Sequence, residues 1–515
     1  MLVALSVLVA MRLAQDRHQD RRTVRRVPTA AWFCLAVAVL NSAVWGIVSP
    51  PFQFLDEQDH FAYVQRIAER GSPPTNPHFE YSRELSVALH GLRFLSVRED
   101  RANVPIWSKL ERQRLDSQLS ARPSRTDHSG AGTATAQPPL SYALEAIPYR
   151  LAAAGTILQR VALIRLLSAL LAGVTALFVF LFLREALPAR PWLWTVGGLA
   201  AALQPQFGYA AAAISPDSLL FAISAALFYC VARALRRGTT TRLSSAIGLL
   251  LAGGLLTKYS FAGLVPGVVL AVAVVALRQA RSEGRDAWWL AGLTATAALV
   301  PLVIVGILNT KVWGRPALGV GAAVPGFIKQ SSGAPGNSLP EELSFIWQFY
   351  LPRIPGLPGF LDTAFPTKEF WLRGFVGSFG WYTITFPRWV TNVALIPAVA
   401  VVGLAVSALA RHVRGPEKRL ADLAIYAVMI GGLLGLIGAV EYSSFTYTAQ
   451  TAISAGWYGQ SRYLLPLLAP FAAVLALAVR GGKRSWITTI GIVLVVLALA
   501  HDIFSVLLVV STYYS

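Results

Sequence analysis

A cluster of acidic side chains follows the first strongly apolar stretch of the chain. Asp56, Glu57 and Asp59 lie beside His60, a few residues after the apolar run at 30–48. Carboxylates beside a bilayer are costly unless they are paired or used, and an ionised carboxylate next to a hydroxyl can act as a general base. The cluster therefore predicts acid–base chemistry at a membrane surface.

A purely structural role for the cluster is the alternative. Pro50 and Pro51 end the apolar run, Asp56 is a suitable N-cap for a new helix, and Gly71 is a suitable end for it. The apolar side chains between these two ends share one helical face: Phe61, Val64, Ile67 and Ala68. The segment predicts a short amphipathic helix along the membrane, in which the acids could simply complement the helix dipole.

The composition places the protein in the membrane. Of its 515 residues 55% are hydrophobic and 14% are charged, which is too apolar for a soluble globular protein. The net charge of +19 does not indicate a nucleic-acid partner, because membrane-length apolar runs interrupt the basic residues. Cys34 and Cys230 both lie in apolar runs, so the sequence supports neither a disulfide framework nor a cysteine metal site.

Eleven apolar stretches approach the ~20 residues that a bilayer requires. They are residues 30–48, 161–183, 192–214, 219–235, 243–257, 260–277, 288–308, 390–410, 420–440, 463–479 and 486–510. Residues 1–11 are apolar but too short to span and carry no cleavage pattern, so they stay unassigned. The predicted fold class is an all-α integral membrane protein with about eleven transmembrane helices.

Basic residues predict the orientation of these helices. Arginine and lysine collect before the first span and in every second loop after it, which places the N-terminus inside and the C-terminus outside. Residues 138–154 must then not cross, and two internal prolines, Glu145 and Arg150 agree with that. We expect a multi-pass membrane protein.

This topology divides the chain into six parts. A basic N-terminal segment (1–29) and the first span (30–48) precede a long outer loop (49–160). Spans two to seven (161–308), an outer loop rich in Gly, Pro and aromatic residues (309–389) and the last four spans (390–515) follow. The polar stretch at 117–136 within the first loop is predicted to be flexible.

The same topology brings further polar residues to the outer face. Lys258 and Arg462 are cations on the side where the charge rule disfavours them, so they are candidates to bind a phosphate. Candidates for contacts to a sugar or an acceptor are His60, Asp217, Gln460 and Tyr463. Ordinary roles stay open: Asp217 follows Ser215 and Pro216 as in a common helix start, and the cations could snorkel at helix ends.

Familiar catalytic signatures are absent from the sequence. It contains no phosphate-cradling GxxxxGK[ST] loop, no HExxH and no cysteine pair at metal spacing. ATP-driven transport by this chain alone is therefore not expected. A carboxylate, two cations and aromatic loops on one face suit transfer of a sugar from a lipid-linked phosphate, because neither ATP nor a soluble nucleotide sugar is then required.

Five segments resemble a family of bacterial polytopic membrane proteins of unassigned function. They are PPFQFLDEQDHF, QPPLSY, QPQFGYAAAAISPDSL, LLTKYS and GQSRYLLPLL. That family is similar to the C-type glycosyltransferases, the superfamily of protein mannosyltransferases, oligosaccharyltransferase catalytic subunits and lipid A aminoarabinose transferases. The resemblance to the characterised enzymes is confined to the early acidic pair and the Pro-Pro-Leu element.

The resemblance implies a C-type bundle, a polyprenyl-phosphate-linked sugar donor and a base or metal-side carboxylate at Asp56 or Glu57. Members differ in metal dependence, so it allows a divalent cation without naming ligands for it. Gln137 and Ser141 replace the histidine and lysine that flank the prolines in mannosyltransferases, so those roles do not carry over.

The sequence thus predicts a membrane glycosyltransferase that acts on a cell-envelope glycan, lipid or protein. Asp56 is the first candidate for the base and Glu57 the second. A transporter or flippase of a lipid-linked envelope precursor is the alternative, for which paired charges at the membrane midplane and broken helices are expected. A non-catalytic assembly scaffold is the third interpretation.

Overall fold

The computed structural model describes residues 27–75, 80–99, 108–188, 190–283, 286–319, 338–357, 368–412, 416–451 and 460–514. The first half of this part comprises α1 Thr29–Val48, α2 Glu57–Arg70, α3 Arg83–Gly91, α4 Phe94–Glu99, α5 Lys109–Ser120, α6 Leu140–Leu151, α7 Ile157–Ala186, α8 Pro191–Ala202, α9 Pro205–Ala212, α10 Pro216–Arg237 and α11 Thr241–Leu255. A 3₁₀ turn, Gly132–Ala136, precedes α6.

The second half continues with α12 Val265–Glu283, α13 Asp286–Lys311, α14 Leu339–Tyr350, α15 Arg373–Gly377, α16 Arg388–His412, α17 Pro416–Thr451, α18 Leu468–Gly481 and α19 Ile487–Tyr514. The 3₁₀ segments Tyr259–Leu264, Ser461–Leu467 and Arg484–Trp486 lead into α12, α18 and α19, and a π turn, Lys368–Leu372, leads into α15. Two short antiparallel strands, β1 Ser378–Phe379 and β2 Ile384–Thr385, form a hairpin.

The all-α membrane architecture is confirmed, and the described part contains nine helices that are long and apolar enough to span a membrane. All eleven predicted apolar stretches fall in helical segments, but two of them are not long helices. The stretch at 192–214 is divided into α8 and α9, because Pro205 has no N–H and the side chain of Gln204 caps the new helix at the Phe207 N–H. The stretch at 243–257 is the 15-residue α11, shorter than a bilayer requires.

The core of the bundle lies along α7, which packs against α1 and α10. Small buried side chains line these contacts, among them Ala172 and Ala176 of α7. Small residues allow helix axes to approach closely, which is how helices associate in lipid. The element at 138–154 folds as the 12-residue α6, too short to cross, as predicted.

The described residues between α1 and α7 fold onto one end of this bundle. Its helices share an apolar cluster with the start of α7, built around Phe52, Phe61, Tyr142, Tyr149 and Ile157. Residues 121–128, within the stretch predicted to be flexible, are exposed or half-buried, and the flexibility stays a prediction. The end of the stretch, the 3₁₀ turn Gly132–Ala136, packs against α2. The Gly130 N–H donates to the Glu80 carbonyl, and Thr133 donates to Asp59.

The two ends of the bundle carry different charges. Glu185, near the end of α7, pairs with three arginines at the end of α10: Arg233, Arg236 and Arg237. Asp217 lies at the opposite end of α10, about 30 Å away for a helix of 22 residues. The basic cluster and the predicted site residues therefore occupy opposite ends.

Glycines allow helices to approach at backbone distance at several places, including the contact between α17 and the segment Tyr259–Leu264. A Cβ on Gly432 of α17 would lie 2.2 Å from the carbonyl oxygen of Gly263, whereas a Cβ on the adjacent Gly431 would meet no atom within 4 Å. We expect Gly432→Ala to destabilise the protein by about 1–3 kcal/mol through overpacking, and Gly431→Ala to be neutral or stabilising. Melting temperatures of the two variants in the same detergent test this, and equal values would contradict it.

Candidate functional site

Four charged side chains from distant parts of the chain meet at one end of the bundle. The Lys258 ammonium donates to the Asp217 carboxylate at 2.6 Å, and the Arg462 guanidinium lies 3.6 Å from the same carboxylate. Arg462 also donates to Asp56 at 3.2 Å. We call Asp56, Asp217, Lys258 and Arg462 the charge quartet.

Three members of the quartet, Asp217, Lys258 and Arg462, lie at helix starts. Asp217 is the second residue of α10, where its N–H donates to the Ser215 hydroxyl at 3.2 Å. Lys258 and Arg462 lie at the beginnings of two 3₁₀ segments, Tyr259–Leu264 and Ser461–Leu467. The ordinary helix start predicted at Asp217 is therefore present, and its carboxylate binds both cations as well.

Asp56 differs from the helix cap that the sequence predicts. It precedes α2, but its side chain makes no capping hydrogen bond and turns to Arg462 instead. Its backbone lies in the left-handed region, at φ 60° and ψ 12°, a conformation that asparagine, aspartate and glycine tolerate best. The Asp56 side chain is 28% exposed, so this carboxylate has access to solvent.

Glu57, the second candidate for the base, is held in a different place. Its carboxylate is fully buried and receives two hydrogen bonds from Arg165 of α7, at 2.8 and 2.6 Å. The N–H groups of Phe52 and Ile214 donate to the same carboxylate at 2.8 and 3.3 Å. Glu57 thus links the first loop to α7 and to the start of α10, with no side exposed for a substrate.

Asp59 is likewise engaged in the fold. Thr133 donates to it through both its N–H, at 3.0 Å, and its hydroxyl, at 2.6 Å, and Tyr81 adds a third hydrogen bond. Gly132 lies so close that a Cβ there would be 2.5 Å from the carboxylate. Burial raises the pKa of Asp59. Of the three acids in the cluster, Asp56 alone is directed to the quartet.

His60 lies beside the quartet and is held from the other side. Its Nδ1 is 2.8 Å from the Tyr142 hydroxyl of α6. Burial lowers the pKa of His60 to about 4; the nearby Asp56 raises it and Arg462 lowers it further. The imidazole is therefore neutral at physiological pH and can act as a hydrogen-bond donor or acceptor, not as a cation.

Gln460 and Tyr463 support the cations. The side-chain oxygen of Gln460 accepts a hydrogen bond from Arg462 Nε. The Tyr463 ring centroid is 4.4 Å from the Lys258 ammonium, a cation–π distance. Both residues contact cations of the quartet, and the predicted contacts with a sugar or an acceptor stay a prediction.

Sequence reasoning missed three residues near the site. Arg165 binds Glu57, Tyr142 contacts His60, and Tyr382 of the second loop lines a small pocket together with Arg462. A signal was available for Arg165, because an arginine a few residues inside a predicted span is costly unless it is paired. No pattern pointed to Tyr142 or Tyr382.

A metal centre is not apparent in the described part of the chain. No group of three or more His, Cys, Asp or Glu side chains there is arranged to hold a metal ion.

A family model described as "Predicted membrane protein (DUF2142)" matches residues 39–472. The chain belongs to this family. No curated protein and no solved structure matches the chain. The match includes all four residues of the quartet, so the site lies within the part of the chain that the DUF2142 family shares, and the protein is a multi-pass membrane protein in a lipid bilayer.

The neighbours Asp56 and Glu57 should respond differently to loss of charge in this DUF2142 protein. We expect Glu57→Gln to lower the free energy of unfolding by about 3–5 kcal/mol, because it leaves Arg165 buried without a counter-charge. Asp56→Asn should cost about 1 kcal/mol or less, because Asp56 is partly exposed and Arg462 keeps Asp217. Thermal unfolding in detergent compares the two, and equal losses would show that the carboxylates have the same role.

His60 should make the protein sensitive to acid. The unfolded chain takes up a proton on this imidazole near its ordinary pKa of 6.5, whereas the folded protein does so only near pH 4. The free energy of unfolding is therefore unaffected by this group above pH 6.5 and decreases as the pH falls from 6.5 towards about 4. We expect wild type to lose up to about 3 kcal/mol more than His60→Gln between these two pH values. The measurement is unfolding of both proteins across this range, and parallel curves would contradict the assignment.

Proposed function

We propose that this protein is a membrane glycosyltransferase of the C type. It moves a sugar from a polyprenyl-phosphate carrier to a glycan, lipid or protein of the cell envelope, on the extracytoplasmic face of the bacterial plasma membrane. The observation that carries the proposal is the quartet: an accessible carboxylate is held beside two buried cations at one end of the bundle. A base and an anion site are the two functions that this reaction requires.

The proposed reaction uses one carboxylate of the quartet, Asp56, and both of its cations. The acceptor hydroxyl attacks the anomeric carbon of the sugar, and its proton passes to the Asp56 carboxylate. A bond forms between the acceptor oxygen and the anomeric carbon while the bond from that carbon to the phosphate oxygen breaks. The leaving polyprenyl phosphate gains negative charge, which Arg462 and Lys258 stabilise.

Burial strengthens the anion site. The Lys258 and Arg462 side chains are 10% and 9% exposed, so charge interactions with them are screened less than at the surface. Asp217, at 2% exposure, keeps both cations in place when no ligand is bound. His60, neutral and close by, supplies a hydrogen-bonding group for the sugar or the acceptor.

An apolar groove next to this end suits the lipid chain of the donor. The groove has a volume of about 430 Å³ and runs between α6 and the region of α2 and α13. Its lining is apolar except for Arg150, and it includes Leu140, Ala143, Ile147, Leu256 and Val305. Leu256 accepts a hydrogen bond from the Leu140 N–H and lies two residues before Lys258, so the groove adjoins the segment that carries a quartet cation.

A transporter or flippase is the second candidate, because one predicted span is broken. Asn41 of α1 donates to the Ala202 carbonyl at 3.0 Å, where α8 ends, and also to Asp502 of α19 at 3.3 Å. Trp45 donates to the same carboxylate at 3.2 Å. Broken helices and intramembrane carboxylates are typical of transporters. Here these groups bind one another, whereas the accessible carboxylate lies at the end of the bundle.

The decisive experiment is transfer of radiolabelled sugar from a panel of polyprenyl-phosphate donors to envelope extract. We expect wild-type protein to label a product, and Asp56→Asn to lower the rate by about 10²-fold or more, since a general base contributes 10²–10⁴-fold. The control is Asp422→Asn, which removes a carboxylate of similar exposure, 35%, paired with Arg278 away from the quartet. It should keep wild-type activity.

The other outcomes separate the remaining interpretations. Full activity of Asp56→Asn would remove Asp56 as the base. Failure with every donor, together with movement of a fluorescent polyprenyl phosphate across vesicles that contain the protein, would replace the transferase with the flippase. Absence of both activities and of lipid binding would favour the scaffold.

A further inference from the structure

The quartet is electrically balanced without a ligand. Two carboxylates, Asp56 and Asp217, face two cations, Lys258 and Arg462, so the formal charges cancel. The carboxylates differ in how they are held. Asp217 is almost fully buried and lies near both cations, whereas Asp56 is partly exposed and, among the described residues, forms its ion pair with Arg462.

We propose that Asp56 occupies the position on Arg462 that a ligand phosphate takes. Binding of the phosphate displaces the carboxylate, and the displacement frees Asp56 as a base. The inference concerns regulation of the same site and rests on the proposed function only for what the freed carboxylate then does. The ligand class is a phosphate ester, and the Asp56 carboxylate occupies the position of the phosphate when no ligand is bound.

Charge counting supports the exchange. A sugar phosphodiester brings one negative charge, so three anions would face two cations if Asp56 stayed in place. An unmatched buried charge is unfavourable, and the anion with a route to water is the one that leaves. Asp56 has this route through its exposed side, and Asp217, at 2% exposure, does not.

The backbone at Asp56 leaves its side chain available to move. The Asp56 carbonyl accepts hydrogen bonds from the N–H groups of Asp59 and His60, but its side chain makes no capping hydrogen bond to α2. The carboxylate can therefore leave Arg462 without breaking a cap. Arg462 keeps other contacts when the carboxylate leaves, with the Leu55 carbonyl at 3.4 Å, the Gln460 side chain and Asp217. The guanidinium therefore stays in place to receive the phosphate.

The test is a measurement of phosphate binding, and we expect affinity to increase when Asp56 is replaced. Loss of a residue from a binding site commonly weakens binding, but Asp56→Asn removes a competitor and should tighten the binding of farnesyl phosphate by about tenfold. Asp56→Gly should do the same, because glycine also accepts the left-handed backbone. Full-length protein in detergent is titrated with farnesyl phosphate, inorganic phosphate and farnesol.

Matched variants locate the effect at Arg462. Asp422→Asn removes one negative charge elsewhere and should bind farnesyl phosphate as wild type does. Arg462→Gln should weaken binding, and in the double variant Asp56→Asn, Arg462→Gln the gain from Asp56→Asn should disappear, as expected for two residues that interact directly. A gain that persists without Arg462 would overturn the proposal.

The three probes distinguish the sources of phosphate. Tighter binding of both phosphates, with farnesol unchanged, supports exchange by any phosphate, and tighter binding of farnesyl phosphate alone supports exchange by a lipid-linked one. Unchanged or weaker phosphate binding by both Asp56 variants overturns the proposal. Tighter binding by the Asp56 variants, without sugar transfer by the wild type from any donor, would support the exchange and reject the transferase. Sugar transfer by the wild type, without tighter binding by the Asp56 variants, would support the transferase and reject the exchange.

Discussion

The buried carboxylate of Asp217 is the constraint on which the site depends. Lys258 and Arg462 are both removed from water. Without an anion between them they would repel each other, and no attractive interaction would offset their lost hydration. The start of α10 must therefore meet the two 3₁₀ segments that carry the cations. This requirement joins three regions of the bundle, the most distant of which, at Asp217 and Arg462, are 245 residues apart in the chain.

The first loop attaches to this end through two further buried ion pairs. Arg165 binds Glu57, and Arg160, one helical turn earlier in α7, binds Glu84 at 2.9 Å. Both arginines belong to α7, the central helix of the core, so the loop is joined to the most buried element of the bundle. Glu57 is adjacent to Asp56, and its attachment holds Asp56 beside Arg462. The three acids of the cluster thus have different roles. Glu57 and Asp59 bind other parts of the fold, and the Asp56 side chain stays accessible to solvent.

The sequence predicted the apolar helices and singled out the four residues that meet in the quartet, because hydropathy and charge are local signals. It did not predict the break at Gln204 and Pro205, since prolines also occur in unbroken membrane helices, such as Pro301 in α13. Nor did it predict the side-chain direction of Asp56. A cap and a left-handed turn have the same local pattern, and Arg462, more than four hundred residues away, decides between them.

The same contacts are the reason why we propose chemistry at one end of the bundle and not passage through it. At the break between α8 and α9, Asn41 binds both the freed carbonyl and Asp502, so these polar groups satisfy one another inside the membrane. Moving them apart to admit a polar cargo would leave each one unpaired in a low dielectric. In the quartet, by contrast, one ion pair has an exposed partner, and an incoming anion can replace it with no net loss of contacts. The ion pair that we propose to be exchangeable therefore lies at the end of the bundle, where its carboxylate is exposed to solvent.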